Sequence, residues 1–255
     1  MIPALEAIGL SKAFGGVRAV EDVSFAVAPA RITALIGPNG AGKTTLFNLV
    51  TNLMPASAGS VRYFGDPLAG LSSERIASLG LIRAFQTARV FPGMTVLENV
   101  LTGAHTRVRV SPLRQMVWSS GARGEEQALR RHAERLLDLA GLLEFAHRPA
   151  TELPMGGQKL LEILRALMAQ PRLLLLDEPA AGLNDTETAE LSDMLRAIRD
   201  AGITILVVEH NMSLVMGVAD QIVVLDAGRV IATGEPAEIR VNETVIAAYM
   251  GRDDA

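Results

Sequence analysis

The sequence predicts an α/β fold built around a parallel β-sheet. Short apolar runs alternate with helical patterns along most of the chain, which is typical of strands connected by helices. The leucine run in "RLLLLDEP", residues 172–179, has the pattern of a parallel strand that is covered on both faces. A mainly helical stretch from about Thr95 to Leu167 predicts a helical insertion in this core.

The N-terminal elements follow from alternation and turn residues. Residues 5–35 alternate apolar and polar positions, with a glycine pair and Pro29 as breaks, which predicts several strands joined by turns. The strand "ITALI" ends at Gly37. From Lys43 onward, "KTTLFNLVTNLM" predicts a helix that stops before Pro55, and "GSVRYFG" predicts another short strand.

The predicted insertion contains one strongly amphipathic helix. In "EEQALRRHAERLLDLAGLL" the leucines recur at helical spacing on one side, and arginines and glutamates occupy the other. Residues 105–124 are less regular, which predicts an exposed loop there.

The last third of the chain returns to alternating strands and helices. "TETAELSDMLRAIRDAG" and "NMSLVMGVA" predict helices, and "ITILVVEH" between them predicts a strand. "QIVVLDAGRVIATGEP" predicts two strands joined by a turn at Ala227–Gly228. The tail "AEIRVNETVIAAYMG" predicts a helix, and the chain shows no internal repeat or low-complexity tract.

Composition excludes several classes of protein. The 255 residues are 49% hydrophobic and 20% charged, which suits a globular core, and a net charge of −4 gives no basic signature for nucleic acid. The absence of cysteine excludes disulfides and thiolate metal sites and fits the cytosol. No apolar run approaches the roughly 20 residues that span a bilayer, and the N-terminus lacks the pattern of a signal peptide. We therefore expect a soluble, internal protein that reaches a membrane only through a partner.

Residues 37–44, Gly-Pro-Asn-Gly-Ala-Gly-Lys-Thr, fit the phosphate-loop pattern G-x-x-x-x-G-K-[ST] in full. Glycine permits close backbone approach, so successive N–H groups can surround an anion at the positive end of the following helix. Lys43 can reach the β- and γ-phosphates of a nucleotide, and the Thr44 hydroxyl can bind Mg²⁺. The alternative is a plain glycine turn. The position of residues 37–44 between a predicted strand and a predicted helix favours nucleotide binding instead. The predicted binding residues of this segment are Gly37, Pro38, Asn39, Gly40, Ala41, Gly42, Lys43, Thr44 and Thr45.

Two acidic residues follow the leucine run. Asp177 lies at the end of the predicted strand, where its carboxylate can hold a metal ion through water. Glu178 comes next and can polarise an attacking water. Capping of the next helix is the structural alternative, but together with the phosphate loop this pair favours ATP hydrolysis.

With these motifs in this order, nearly the whole chain resembles the ATP-binding subunit of an ABC transporter. The resemblance implies a P-loop NTPase (RecA-like) core with an N-terminal antiparallel β subdomain and an inserted α-helical subdomain at about 95–167. These would form a single ABC ATP-binding domain over residues 1–255. It also implies that Phe14 packs against adenine, that Gln86 reaches the metal and the attacking water, and that His210 contacts the γ-phosphate.

The family signature L-S-G-G-Q, which contacts the γ-phosphate bound by the opposite subunit, is degenerate here. Counting back from Asp177 places it at Leu153-Pro154-Met155-Gly156-Gly157. A shifted register over residues 155–158 is the alternative, but it would require a gap in the helix that follows. The serine hydroxyl is missing in both registers, although a backbone N–H such as that of Gly156 can still face an anion. The resemblance therefore implies Gly156 and Gly157 as nucleotide-binding residues.

Further stretches narrow the resemblance to the ATPase subunits of branched-chain amino acid importers. They are "RAFQTARVFPGMTVLENVL", "LDEPAAGLN", in which Asn184 replaces a family aspartate, "EHNMSLVMGVAD" and "TGEPAEIRVNETVIAAYMG". Urea or amide importers, lipopolysaccharide export and soluble iron–sulfur assembly remain alternatives. A nucleic-acid ABC ATPase is disfavoured, because the chain has a single phosphate loop and no long inserted arm.

The resemblance also implies a working assembly. Two copies, or one copy and a related ATPase subunit, would hold ATP and Mg²⁺ between the Lys43 loop of one and the Gly156 segment of the other. Integral membrane permease subunits would contact the helical insertion, a solute-binding protein would act indirectly, and no nucleic acid would take part. The expected location is cytoplasmic, peripheral on the inner face of the cell membrane. The residues identify neither the solute nor a homodimer over a heterodimer.

Overall fold

The structure, a computed structural model, describes residues 2–84, 90–106 and 120–250 of the chain. The described residues form ten strands: β1 (Leu5–Phe14), β2 (Val17–Val27), β3 (Ile32–Ile36), β4 (Ala58–Tyr63), β5 (Asp66–Pro67), β6 (Leu81–Ala84), β7 (Leu173–Asp177), β8 (Thr204–Val208), β9 (Gln221–Asp226) and β10 (Arg229–Gly234). The same residues form nine α-helices: α1 (Lys43–Val50), α2 (Ser73–Ser78), α3 (Val96–Thr102), α4 (Ser120–Leu139), α5 (Met155–Met168), α6 (Asp185–Asp200), α7 (Met212–Val218), α8 (Pro236–Arg240) and α9 (Glu243–Met250).

The chain divides into two compact units, which we call the sheet unit and the helical unit. The sheet unit comprises Met1–Arg83, Arg172–Ala181 and Leu195–Ala255. The helical unit comprises Ala84–Pro171 and Gly182–Met194. The expectation that the whole chain acts as one ABC ATP-binding domain stays a prediction.

The larger sheet contains six strands in the order β10-β9-β3-β8-β7-β6. The pairs β9–β3, β3–β8 and β8–β7 are parallel, and β10 pairs antiparallel with β9. Every residue of β3, β7 and β8 is buried, as expected for parallel strands that are covered on both faces. The predicted parallel α/β core is therefore confirmed.

The smaller sheet is antiparallel throughout, with the strand order β2-β1-β4-β5. Helix α1 packs against β1 and β2, and its side chains Leu46 and Phe47 are completely buried. These side chains join Leu175 of β7 and Leu206 of β8 in one apolar cluster. This cluster anchors α1, which begins directly after the phosphate loop, and the sheet confirms the predicted N-terminal antiparallel subdomain.

The helical unit contains the predicted helical insertion, but it begins at Ala84 instead of near Thr95 and also includes Gly182–Met194. Helices α3, α4 and α5 pack on one another, and α4 buries Ala133 and Leu137 on its apolar face. Gly103 lies so close to α5 that a Cβ atom there would collide with the backbone carbonyl of Arg165. Within the described residues, no helix is long and apolar enough to cross a membrane.

The end of α1 and the start of α4 differ from the sequence prediction. Helix α1 ends at Val50 instead of near Pro55, because Asn52 adopts a left-handed conformation with φ of 55°. Helix α4 begins at Ser120, inside the stretch 105–124 that was predicted to contain an exposed loop. Residues 107–119 of that predicted loop lie outside the described residues.

The C-terminal tail forms two helices where one was predicted. Helix α8 ends at Arg240, and α9 begins at Glu243. The side chain of Asn242 accepts a hydrogen bond from the Val245 amide at 3.1 Å, which is the arrangement of a helix N-cap. An asparagine in this position therefore starts a new helix instead of continuing the old one.

We expect Leu206→Ala to lower the free energy of unfolding by about 2–5 kcal/mol, because Leu206 is completely buried and its truncation leaves a cavity. Urea unfolding followed by circular dichroism measures the loss. Leu53→Ala is the matched control, since this side chain is 53% exposed and should change stability by about 0.5 kcal/mol or less. Equal losses in both variants would contradict the assigned core.

Candidate functional site

The phosphate loop runs from the end of β3 to the start of α1. Its three glycines have positive φ values of 154° at Gly37, 79° at Gly40 and 98° at Gly42. A side chain would be strained in these conformations, so the pattern G-x-x-x-x-G meets a real backbone requirement here. Asn39 and Gly40 are exposed at the tip of the loop, where a ligand can approach.

Neighbouring main chain holds both ends of this loop. A Cβ atom on Gly37 would collide with the carbonyl of Leu225 in β9, and one on Gly42 would collide with the carbonyl of Ala19 in β2. The loop therefore lies directly on backbone, without a layer of side chains between. The N-cap residue of α1 is Gly42, which has no side chain that could accept from the first N–H groups of the helix.

Lys43, the first residue of α1, folds back over the loop. Its side chain is buried, and Nζ donates to the carbonyls of Gly37 at 2.7 Å and Pro38 at 3.1 Å. Burial lowers the pKa of Lys43, and the negative charge of Glu178 raises it. The cation is thus held at the loop by neutral acceptors that a phosphate could replace. Thr44, in the next position of the helix, is exposed.

Asp177 is buried at the end of β7 and forms an ion pair with Arg83. The Arg83 Nη2 donates to Asp177 Oδ2 at 2.8 Å, and Nη1 donates to Asn48 Oδ1 at 2.7 Å. The Arg83 guanidinium also lies over the Phe47 ring, 4.6 Å from its centroid. Burial raises the pKa of Asp177, Arg83 lowers it, and Glu178 raises it. Arg83 therefore links the predicted metal ligand to α1.

Glu178 and His210 face each other at the ends of neighbouring strands. The His210 Nδ1 lies 3.8 Å from Glu178 Oε1, which is longer than a hydrogen bond. Glu178 has a positive φ of 48°, an uncommon conformation for a residue other than glycine. Its amide donates to the carbonyl of Val208 at 2.9 Å, which ties it to the end of β8.

The sheet unit thus contains Lys43, Asp177, Glu178 and His210 at the carboxyl edge of β3, β7 and β8. Phe14 lies at the end of β1 and is 47% exposed, with the Lys12 Nζ over its ring at 5.4 Å from the centroid. Gln86 lies outside the described residues. The roles predicted for these residues stay predictions.

Gly156 and Gly157 belong to the helical unit, in the first turn of α5. Pro154 precedes this helix and, among the described residues, no side chain caps it. Gly156 packs against Glu187, whose Oε1 would lie 2.5 Å from an added Cβ atom. Helix α5 runs without a break from Met155 to Met168, so residues 155–158 of the shifted register lie in its first turn.

Two charged residues of the site were not predicted: the partly buried Arg83 and the completely buried Glu209. Arg83 lies in "LIRAF" and Glu209 in "ILVVEH", and each is a charged residue within an apolar strand pattern. Charged residues are almost never fully buried unless they are paired or hydrogen-bonded, so this pattern was the available signal. Their partners, however, are distant in sequence, and only the folded chain identifies them.

Comparison with known families and proteins agrees with this geometry. Residues 20–181 match the family described as ABC transporter. The chain belongs to the ABC transporter family. Residues 229–255 of this ABC ATPase also match the family described as branched-chain amino acid ATP-binding cassette transporter. The resemblance drawn from the sequence is therefore confirmed, and ATP hydrolysis is the expected reaction of the ABC ATPase family.

Named relatives cover nearly the whole ABC chain. It is 43% identical over 251 residues to the high-affinity branched-chain amino acid transport ATP-binding protein LivG of Escherichia coli K12, with 98% of each chain covered. It is 41% identical over 250 residues to BraF of Pseudomonas aeruginosa, which carries the same description, again with 98% of each covered. A solved ABC transporter ATP-binding cassette in its ADP conformation is 31% identical, with a TM-score of 0.85, over 99% of this chain and 100% of that one.

We expect Arg83→Met to lower the free energy of unfolding more at about pH 8 than at about pH 5. Burial raises the pKa of Asp177 above its ordinary value of 3.8. The folded protein therefore holds the Asp177 carboxyl proton more tightly than the unfolded chain does. As the pH rises and Asp177 ionises, the folded state loses stability. Loss of the guanidinium raises that pKa further and leaves an unpaired buried carboxylate, which costs about 3 kcal/mol at the higher pH.

Urea unfolding of the wild type and the Arg83→Met variant at both pH values measures this difference. Arg148→Met is the matched control, because Arg148 forms an exposed ion pair with Glu152 and should have little effect at either pH. A loss for Arg83→Met that is the same at both pH values would show that the Asp177 charge is not what Arg83 stabilises.

Proposed function

We propose that this chain is the ATP-hydrolysing subunit of a membrane importer for branched-chain amino acids. The observation that carries the proposal is its match over 98% of its length to the relatives LivG and BraF, together with the separate C-terminal match at residues 229–255. That second match favours this importer class over the urea, amide and export systems. The chain would act in the cytoplasm, on the inner face of the cell membrane.

Nucleotide binding is supported by the backbone of the phosphate loop. The amides of the loop and of the first turn of α1 would surround the phosphates at the positive end of the helix. Lys43 would exchange the carbonyls of Gly37 and Pro38 for phosphate oxygens, a charge-assisted contact that contributes about 1.5–3 kcal/mol. Phe14 would stack on adenine with its exposed ring.

A magnesium ion fits the oxygen ligands that the site presents. Thr44 offers an exposed hydroxyl on α1, and Asp177 offers a carboxylate at the end of β7. The described residues contain no group of three or more histidine, aspartate or glutamate side chains that would hold a metal on their own, which suits an ion held mainly by nucleotide phosphates and water. When bound, Mg²⁺ would neutralise charge on the transferring phosphoryl group.

Glu178 and His210 are suited to the hydrolytic step. The Glu178 carboxylate would orient the attacking water and accept its proton, while His210 would donate a hydrogen bond to the γ-phosphate. The short distance between the two side chains allows both to reach one phosphate terminus. Gln86 would complete this group as a contact to the metal and the water.

A second ATPase subunit would complete the nucleotide site. The start of α5 has no side-chain cap among the described residues, and Met155 is 61% exposed, although Gly156 is buried against Glu187. The first turn of α5 would contact the anion of another protomer on the side that Met155 occupies. ATP that contacts the phosphate loop of one subunit and the first turn of α5 of the other would favour the closed pair of subunits. Hydrolysis would remove this contact, and the pair would open. A homodimer and a heterodimer both satisfy this geometry.

The loop before α3 is suited to contact a permease. Asn99, which is completely buried, accepts from the Phe91 amide at 2.7 Å and donates to the Thr95 carbonyl at 3.0 Å. The loop is therefore rigid, yet Phe91 is 45% and Met94 is 39% exposed. Apolar side chains held out on a fixed backbone are typical of a protein-binding surface, and we assign this one to the membrane subunits, through which a solute-binding protein would act.

We expect Glu178→Gln to bind ATP with near wild-type affinity and to hydrolyse it at least about 100-fold more slowly, because the general base is lost. Phosphate release and the fluorescence of a labelled ATP measure the two properties. Lys43→Ala is the comparison variant, in which binding itself should fail. Near wild-type turnover of Glu178→Gln would remove Glu178 from the base role.

We expect leucine, isoleucine or valine, but not urea, to stimulate ATP hydrolysis when the chain is reconstituted with its permease subunits and solute-binding protein. The variant Phe91→Ser/Met94→Ser should lose this stimulation while the isolated subunit keeps its basal rate. Val17→Ser, also at an exposed apolar position, is the control and should retain stimulation. Stimulation by urea alone would contradict the assigned solute, and full stimulation of the double variant would contradict the assigned surface.

A further inference from the structure

Glu209 is a completely buried carboxylate directly after β8. Its oxygens accept three main-chain hydrogen bonds: Oε1 from the Ala180 amide at 2.7 Å, and Oε2 from the amides of His210 at 2.9 Å and Asn211 at 3.0 Å. Within the part of the chain that the structure describes, Glu209 forms no ion pair with lysine or arginine. Backbone N–H groups therefore supply the hydrogen bonds that this charge receives.

Such an arrangement is costly unless the carboxylate is well hydrogen-bonded. Burial of an unpaired charge is strongly unfavourable, and hydrogen bonds to an ionised acceptor are about twice as strong as neutral ones. The preceding residues 204–208 are all buried, and Glu209 continues this buried stretch with a charged side chain. The presence of a carboxylate indicates that its hydrogen bonds matter.

The three donors belong to two separate loops. Ala180 lies two residues after Glu178, in the loop that follows β7. His210 and Asn211 begin the loop that follows β8, where Asn211 also caps α7 by accepting from the Leu214 amide at 3.0 Å. The buried Glu209 side chain thus binds the backbone of both loops, the one that carries Glu178 and the one that carries His210, whose side chains lie 3.8 Å apart.

We propose that Glu209 is a positioning residue for ATP hydrolysis. Its carboxylate holds the loops that carry Glu178 and His210 in one arrangement, so that both side chains meet the same phosphate terminus. Because Glu209 is completely buried, it acts through these two loops. The proposal rests on the roles proposed above for Glu178 and His210.

The main test is Glu209→Gln, which keeps the shape but replaces one acceptor oxygen with an NH₂ group. At least one of the three amides then faces a donor, and the loops shift. We expect kcat, measured per nucleotide-binding site, to fall about 10- to 100-fold, since a displacement of about 1 Å can cost that much. The Kd for a fluorescent ATP analogue should stay within about twofold, because Lys43 and the phosphate loop are unchanged.

A purely structural role predicts a different result. In that case the variant would be less stable, but its folded molecules would turn over at the wild-type kcat. Glu162→Gln is the matched control, because Glu162 is also buried, at 8% exposure, but lies on α5 of the helical unit. It should keep the wild-type kcat. If Glu209→Gln does not fold, Glu209→Asp, which retains the charge on a shorter side chain, is measured in the same way.

A double-mutant cycle with Glu178→Gln separates this proposal from the proposed function. If Glu209 acts through Glu178, the double variant should hydrolyse ATP at nearly the rate of Glu178→Gln alone. Losses that multiply would overturn the positioning role, as would an unchanged kcat for Glu209→Gln. Wild-type turnover of Glu178→Gln would instead overturn the catalytic assignment on which the proposal rests.

Discussion

The close approach of backbone to backbone under the phosphate loop is the constraint on which the site depends. Gly37 and Gly42 lie against the carbonyls of Leu225 and Ala19, with no room for a Cβ atom. This contact fixes where the loop amides lie relative to the start of α1, and it places Lys43 above the loop. An anion site made of amides needs such rigidity, because loose N–H groups would lose entropy on binding.

Two buried carboxylates, Asp177 and Glu209, lie at the ends of buried strands near this loop. Each of them has hydrogen-bond donors from neighbouring groups. Asp177 is paired with Arg83, which also holds α1 through Asn48. Glu209 is held by three amides from two loops. In both cases a residue outside the expected motif orients a residue within it. The chemistry of the site therefore depends on supporting side chains as much as on the groups that would touch ATP.

The predicted elements were those with strong local signals. The apolar runs of β3, β7 and β8, the amphipathic α4 and the turn at Ala227–Gly228 were all recognisable, because periodicity and turn residues act over a few positions. The sequence did not predict three features: the end of α1, the start of α4 and the division of the C-terminal tail into two helices. Such boundaries depend on single backbone conformations or helix caps, such as those of Asn52 and Asn242. Helix α2 and strand β6 carried too little pattern to be predicted.

The sequence by itself determined the family, the phosphate loop and the order of the motifs, since these are carried by consecutive residues. It also named Asp177, Glu178 and His210, although their proximity was only implied by resemblance. The tertiary structure alone decided that Arg83 pairs with Asp177, and that Glu209 joins the loops after β7 and β8. The physical reason is that these are contacts between residues 29 to 94 positions apart, created by parallel strands that end at one edge of a sheet.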